Sequence, residues 1–285
     1  MTAMPPSSNV PPIQGGPAHG ASDGARARLQ GDSFTYVCTG LESRSCRHAV
    51  TLLHTLDASM ELEVATEQGT TRGQLVMVAP LVPRVLRAGD VPFVMVDLEP
   101  SHPHYRRFRS AEPPAGALCL DHLQLTALRD IGNQFLHLRL TGRVLDKAVR
   151  EAVTQLALAF PQPPEMDERV RWMMNAIDQE PSRSLCDLAE ELSLSIEHAS
   201  RLFTSHVGVC LRTYSLSNKI RYAARYMGRG HSLTEVAQMA GFVDSAHFAK
   251  VWTRCYGRPP SAYFPAEKTR MDEANLPGWI QPPVE

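Results

Sequence analysis

The chain has 285 residues, of which 43% are hydrophobic and 21% charged, and a formal net charge of −1. That length can hold two domains with separate cores, and the near-zero charge excludes a uniformly basic binder, so contact with a polyanion must rest on a local cationic face. No stretch has the length and apolarity of a membrane span, no basic segment followed by an apolar run opens the chain, and the six cysteines lack the short paired spacing of a zinc site. A reduced, cytoplasmic protein with no cofactor and no membrane contact is therefore expected.

Residues 1–30 are rich in Pro, Gly, Ser and Ala, which predicts a disordered tail. From Ser33 the texture changes. Runs rich in Val, Leu, Thr and Phe predict strands over Phe34 to Thr39, Ala49 to Leu56, Glu61 to Ala65, Gln74 to Ala79 and Pro92 to Leu98, punctuated by Gly69, Gly73, Pro80, Pro83, Gly89 and Pro100. Strands at such short intervals predict a compact sheet or small barrel within a domain over 31–160. His48 and His54 lie six apart on one run, and His102-Pro103-His104 follows the strands at the start of a helix or loop. A metal needs three or four converging ligands, so ordinary core or surface histidines are the expected reading. Arg84, Arg87, Arg106, Arg107 and Arg109 offer a surface for a carboxylate or phosphate effector, with solvated charges as the plainer alternative. The same alternative applies to Arg139 and Arg143, spaced as in some cyclic-dinucleotide binders.

Past Pro113-Pro114 the pattern turns helical, over Leu118 to Arg129 and Ile131 to Arg139. From Val144 to Phe160, Leu145, Val149, Ala152 and Leu156 form a short heptad-like seam, which either packs two protomers into a homodimer or caps its own barrel. Pro161 to Pro164 sits in a linker over 161–166. Met166 to Gln179 then forms the first helix of an all-helical domain over 167–265, with Val170, Met173, Met174 and Ile177 inward, and a loose tail is expected over 266–285.

Two helix–turn–helix units follow, over 185–206 and 233–256. Ser184 with Asp187, and Ser232 with Glu235, are capping-box patterns that start the first helix of each unit. Ser195 caps the second helix of the first unit, whose inward stripe is Ile196, Ala199, Leu202 and Phe203. Asp244 or Ser245 caps its counterpart, with Phe248, Val251, Trp252 and Tyr256 inward. A long helix from Leu211 to Met227, stopped by Gly228 and Gly230, spaces the units so that both second helices can enter successive major-groove segments. Arg201, Arg212, Lys219, Arg221, Arg225, Arg229, Lys250, Arg254 and Arg258 supply the local cations.

These residues resemble the AraC/XylS family of transcriptional regulators. The likeness rests on Leu188-Ala189, Ser195, Arg201-Leu202-Phe203 and Gly208 in the first unit. In the second it rests on Ile220-Arg221, Ala224, Glu235-Val236-Ala237, Gly241-Phe242, Asp244-Ser245, Phe248, Gly257, Pro259 or Pro260, Ser261 and Tyr263. Trp252 stands where the family usually has Phe, and Phe264 where it often has Arg. The resemblance implies an α+β chain: a cupin-like β-barrel with flanking helices for effector sensing or dimerisation, then the two joined units. It also implies a sequence-specific regulator of transcription that binds double-stranded DNA and is expected to be an activator, since activation by contact with RNA polymerase is common in the family. No residue fixes the sign, the effector or the operator.

The candidate DNA-reading residues are Glu197, Ser200 and Arg201 in the first unit and Ser245, Ala246, His247 and Lys250 in the second. Arg201 and Lys250 suit guanine O6/N7 or a phosphate, Glu197 a cytosine amino group, Ala246 a thymine methyl, and His247 a base or a phosphate. No catalytic residue is expected. The competing readings are a cupin-type catalyst with a DNA-binding tail, which would need a strand-borne ligand triad, and an architectural DNA binder that senses nothing.

Overall fold

β4 (Val50–Thr55) is buried along its whole length, the mark of a strand covered on both faces, and the N-terminal half is built around it. A computed structural model of the chain describes residues 25–111, 113, 115–227 and 231–263. The expectations for residues 1–24, for Gly228, Arg229 and Gly230, and for Phe264 and the tail beyond it lie outside the described residues. The other strands are β1 (Arg26–Gln30), β2 (Ser33–Thr39), β3 (Glu42–Ser45), β5 (Leu62–Thr66), β6 (Gly69–Gly73), β7 (Leu75–Val78), β8 (Arg84–Arg87), β9 (Pro92–Leu98) and β10 (Ala117–Cys119). They form two antiparallel sheets, ordered β1-β2-β9-β4-β7-β10 and β3-β8-β5-β6.

Alternation assigns the two faces of the larger sheet. Cys38, Leu53, Val76, Val78, Phe93 and Met95 pack against Leu62, Val64 and Leu86 of the smaller sheet, whereas Val37, Leu52, Met77, Val94 and Val96 face the helices. The cupin-like barrel is thus realised as two packed sheets that do not close. Two further expectations are corrected. Residues 26–30, assigned to the tail, form β1, because Arg26 donates to the Leu136 carbonyl at 2.7 Å and Arg28 is paired with Asp146 at 2.5 Å. The helix expected from Leu118 to Arg129 is instead β10, whose backbone completes the sheet edge beside β7, followed by a short 3-10 turn and a left-handed Gln124.

The helices are α1 (Tyr105–Arg109), α2 (Ala127–Leu136), α3 (Gly142–Ala157), α4 (Glu168–Gln179), α5 (Leu185–Glu191), α6 (Ile196–Val207), α7 (Leu211–Tyr226), α8 (Leu233–Met239), α9 (Ser245–Tyr256) and α10 (Pro260–Tyr263). The heptad-like seam on α3 faces inward: Leu145, Val149, Ala152 and Leu156 are all buried within the chain. The seam therefore caps its own domain and offers no stripe to a second copy. Nor are there two separate cores as the length suggested. One cluster runs from the sheet through α3 to Val170, Met173, Phe203 and Tyr214, so the first helix–turn–helix unit shares the core of the N-terminal half. The second unit has its own core of Ile220, Val236, Ala237, Phe242, Phe248 and Trp252, against which Leu29 of β1 packs.

Candidate nucleic-acid interface

Each reading helix is held by the same local devices. In the first unit Ser184 and Asp187 form a reciprocal capping box that starts α5, and the Ser195 hydroxyl accepts from the His198 amide at 3.2 Å to start α6. Ala199, Phe203 and Val207 are buried beneath α6. Glu197 and Arg201 stand exposed on the other side and Ser200 is half-buried. Asp178 on α4 accepts from Tyr214 Oη at 3.0 Å and Asn218 Nδ2 at 2.6 Å, which fastens α4 to the connecting helix α7.

The second unit repeats the plan. Ser232 and Glu235 form the capping box of α8, and the Asp244 carboxylate accepts from the His247 amide at 2.6 Å to start α9. Asp244, not Ser245, is the cap. Phe248, Trp252 and Cys255 are buried beneath α9; Ala246, His247 and Lys250 are exposed and Ser245 is half-buried. Ala189 and Ala237, both buried, occupy equivalent positions where a larger side chain would separate the helices. α7 spans 16 residues, about 24 Å of rigid helix between the units. Among the described residues, no ion pair engages Glu197, Arg201 or Lys250, so their charges are open to a ligand.

Not every cation expected near the DNA is available. Arg221 donates to Ser101 Oγ at 2.7 Å and Asn218 Oδ1 at 3.0 Å, and its side chain is 10% exposed. It ties α7 to the N-terminal half. The proposed anion-binding arginines also disperse: Arg84 is buried and donates to Thr51, Arg87 pairs with Glu42 and Glu63, and Arg106 caps the Pro164 carbonyl at 2.8 Å. The histidines do not converge either. His54 Nε2 lies 3.1 Å from the Leu125 carbonyl, and the His104 amide donates to His102 Nδ1 at 3.1 Å. His48 is in the loop before β4, where burial, helped by Arg254, pushes it down to about 4.

A second set of residues, not apparent from sequence spacing, docks the last turn of α9 against the β-domain. The Cys46 amide donates to the Arg254 carbonyl at 2.9 Å, the Arg47 guanidinium lies 4.8 Å over the Tyr256 ring, and Phe34 meets that ring edge-on at 6.2 Å. Gly257 takes a left-handed φ of +79°, and a Cβ there would lie 2.5 Å from the Arg44 carbonyl. Beneath this contact Arg47 pairs with Asp97, Thr51 donates to Asp97 at 2.5 Å and accepts from Arg84 at 2.8 Å, and Ser217 of α7 donates to Glu99. Burial raises Glu99 to about 7, opposed by the Ser217 hydrogen bond.

A helix–turn–helix domain family matches residues 188–266, from within α5 of the first unit through the whole of the second. The chain therefore carries a helix–turn–helix domain over those residues. An HTH-type transcriptional regulator of Haemophilus influenzae is 25% identical over 173 residues, covering 58% of this chain and 57% of the relative, so the chain spans little more than half of that protein's length. The helix–turn–helix domain and the two-sheet domain together also follow the fold of ToxT from Vibrio cholerae. An apo ToxT variant matches with a TM-score of 0.52 at 10% identity, covering 83% of this chain and 98% of ToxT. ToxT of strain O395 matches with a TM-score of 0.51 at 12% identity, covering 87% and 98%. Among the described residues, no helix is long and apolar enough to cross a membrane.

Proposed function

We propose that the chain is a sequence-specific regulator of transcription that grips double-stranded DNA through α6 and α9. The observation that supports this most directly is the matched design of the two helices. Each is capped at the end that would enter the groove and buried along one stripe, with unpaired polar side chains in its first turns. Arg201 and Lys250 serve guanine or phosphate, Glu197 a cytosine amino group, and Ala246 a thymine methyl, while Ser200, Ser245 and His247 complete the contact. The sign is taken from the AraC/XylS resemblance alone: activation, through contact with RNA polymerase.

The N-terminal half acts as the sensor. ToxT has been solved with (E)-4-(8-methylnaphthalen-1-yl)but-3-enoic acid bound, at a TM-score of 0.50 to this chain. An apolar carboxylate is accordingly the first class of effector to screen. The cavity between the halves, lined by Arg47, Glu99, Ser217 and Tyr256, measures about 10 Å³, room for no more than about one water. An acid of that size would enter there only if the docking opened.

Selection from random duplexes with the purified full chain at physiological salt tests the DNA reading. Two short blocks of enriched sequence on one face of the duplex are expected, and Arg201→Ala should relax one block without touching the other. Enrichment no greater than that of a scrambled pool would overturn the proposal.

A further inference from the structure

The docking of α9 brings two of the six free cysteines together from opposite ends of the chain. Cys46, half-buried at the end of β3, donates its amide to the Arg254 carbonyl at 2.9 Å, and the residue after Arg254 is Cys255, which is 3% exposed. Standard bond lengths around that hydrogen bond hold the two Cα atoms within about 7 Å. A disulfide spans about 4.4–6.8 Å between Cα atoms. The close approach of Gly257 to the Arg44 carbonyl shows that 44–46 and 254–257 run side by side rather than meeting at one point.

We propose that Cys46 and Cys255 form a reversible disulfide under hydroperoxide stress, locking the second helix–turn–helix unit onto the β-domain. Cys46 is the entry thiol, because it is the more exposed. Its thiolate attacks one peroxide oxygen: an S–O bond forms, the O–O bond breaks, and the departing hydroxide takes a proton to become water. The Cys255 thiolate then attacks the Cys46 sulfur; the S–S bond forms, the S–O bond breaks, and the leaving hydroxide takes the proton lost by Cys255. Two thiols are oxidised by two electrons and one hydroperoxide is reduced, to two waters in the case of hydrogen peroxide. A dithiol reductant reverses the link by exchange.

The surroundings set the pace. Burial holds both thiols up, Cys255 to about 12, while Arg254 and Arg84 oppose the effect at Cys46. Thiolate is scarce at neutral pH, so the pair responds to sustained rather than fleeting oxidant. Cysteines that are sequestered in the reduced fold yet held close enough to bridge suit a link whose stability comes from the docked geometry.

The test uses the full-length protein, exposed while folded to about tenfold excess hydrogen peroxide, then unfolded in urea with N-ethylmaleimide so that buried thiols are blocked, and digested with trypsin without reduction. The expected product joins residues 45–47 to the tryptic peptide that begins at Cys255, in more than about half of the chains, and disappears with dithiothreitol. Protein nicked in the 161–166 linker should then run as one band without reductant and as two with it. Cys46→Ser abolishes the link, and Cys255→Ala leaves a sulfenic acid on Cys46 that dimedone traps. If Cys255→Ala does not fold, Cys46→Ser, at a half-buried loop position, still decides the matter. A natively folded protein in which Cys255 stays alkylatable after oxidation, or in which other cysteine pairs carry most of the crosslink, would overturn the proposal.

Discussion

Replacing Asp97 by Asn probes the buried charge network beneath the docked helix. Asp97 is 1% exposed and faces two guanidiniums, pairing with Arg47 and reaching Arg84, itself 3% exposed, through the Thr51 hydroxyl. Burial lowers Arg84 to about 10, so that cation is held at a cost even with the carboxylate present. Asn keeps the shape and one acceptor but removes the compensating charge. Removing one partner of a buried pair costs about 3–5 kcal/mol, and the retained acceptor places the change near the lower end, about 3 kcal/mol. At about 2–4 °C per kcal/mol, the melting temperature should fall by about 6–12 °C. Thermal and urea unfolding followed by far-UV circular dichroism measures it. Exposed Asp90→Asn is the control and should stay within about 0.5 kcal/mol of the parent. A fall of less than about 2 °C in Asp97→Asn would mean that the guanidiniums do not depend on this carboxylate.

Glu99→Gln separates protonation from packing. With an ordinary value of 4.5 raised to about 7, neutral Glu99 contributes stability that is fully present below pH 4.5 and lost as pH rises to about 7. The substitution should therefore stabilise the protein at pH 8, by about 1–2 kcal/mol after discounting its partial exposure, and have little effect at pH 5. Equal effects at both pH values would refute the assignment. Gly257→Ala and Gly241→Ala share a left-handed φ, +79° and +76°, but a Cβ meets the Arg44 carbonyl at 2.5 Å in one case and the Lys219 side chain at 3.5 Å in the other. Both should lose about 1–2 kcal/mol, and only Gly257→Ala should become readily cleaved between the halves by limited proteolysis. Arg201→Ala should cost about 1–3 kcal/mol in specific binding, and Lys250→Ala, if its contact is a phosphate, should lower the salt slope by about 1 in gel-shift titrations. An unchanged affinity for the selected duplex would remove Arg201 from the contact.

The C-terminal half was legible because its signals are local. A capping box lies within four residues, and the stripes under α6 and α9 recur at helical steps, so Ser184, Ser195 and Ser232 announced their helices directly. The strands recognised in advance were those with large apolar residues, β2, β4, β5, β7 and β9. β1 and β3 read as polar because their side chains serve ion pairs and an inter-domain edge, as with Arg28 to Asp146. β10 was lost in a helix-favouring composition, because its pairing with β7 depends on residues about 40 positions away. Periodicity on α3 marked a buried stripe but carried no information on whether the covering surface belonged to the same chain. The contact of Arg47, Glu99, Ser217 and Tyr256 was out of reach for the same reason: polar groups scattered over 200 residues acquire meaning only when the fold gathers them.

The grip on α9 lies at one end of the helix and its polar reading turns at the other. Twelve residues make a shaft about 18 Å long, so a tilt of about 10° around that fulcrum sweeps the tip through about 3 Å, close to one base-pair step. If α9 enters the groove as proposed, a small adjustment of β3 would be magnified at the far tip of the helix, and the β-domain would bias what is read without approaching the nucleic acid.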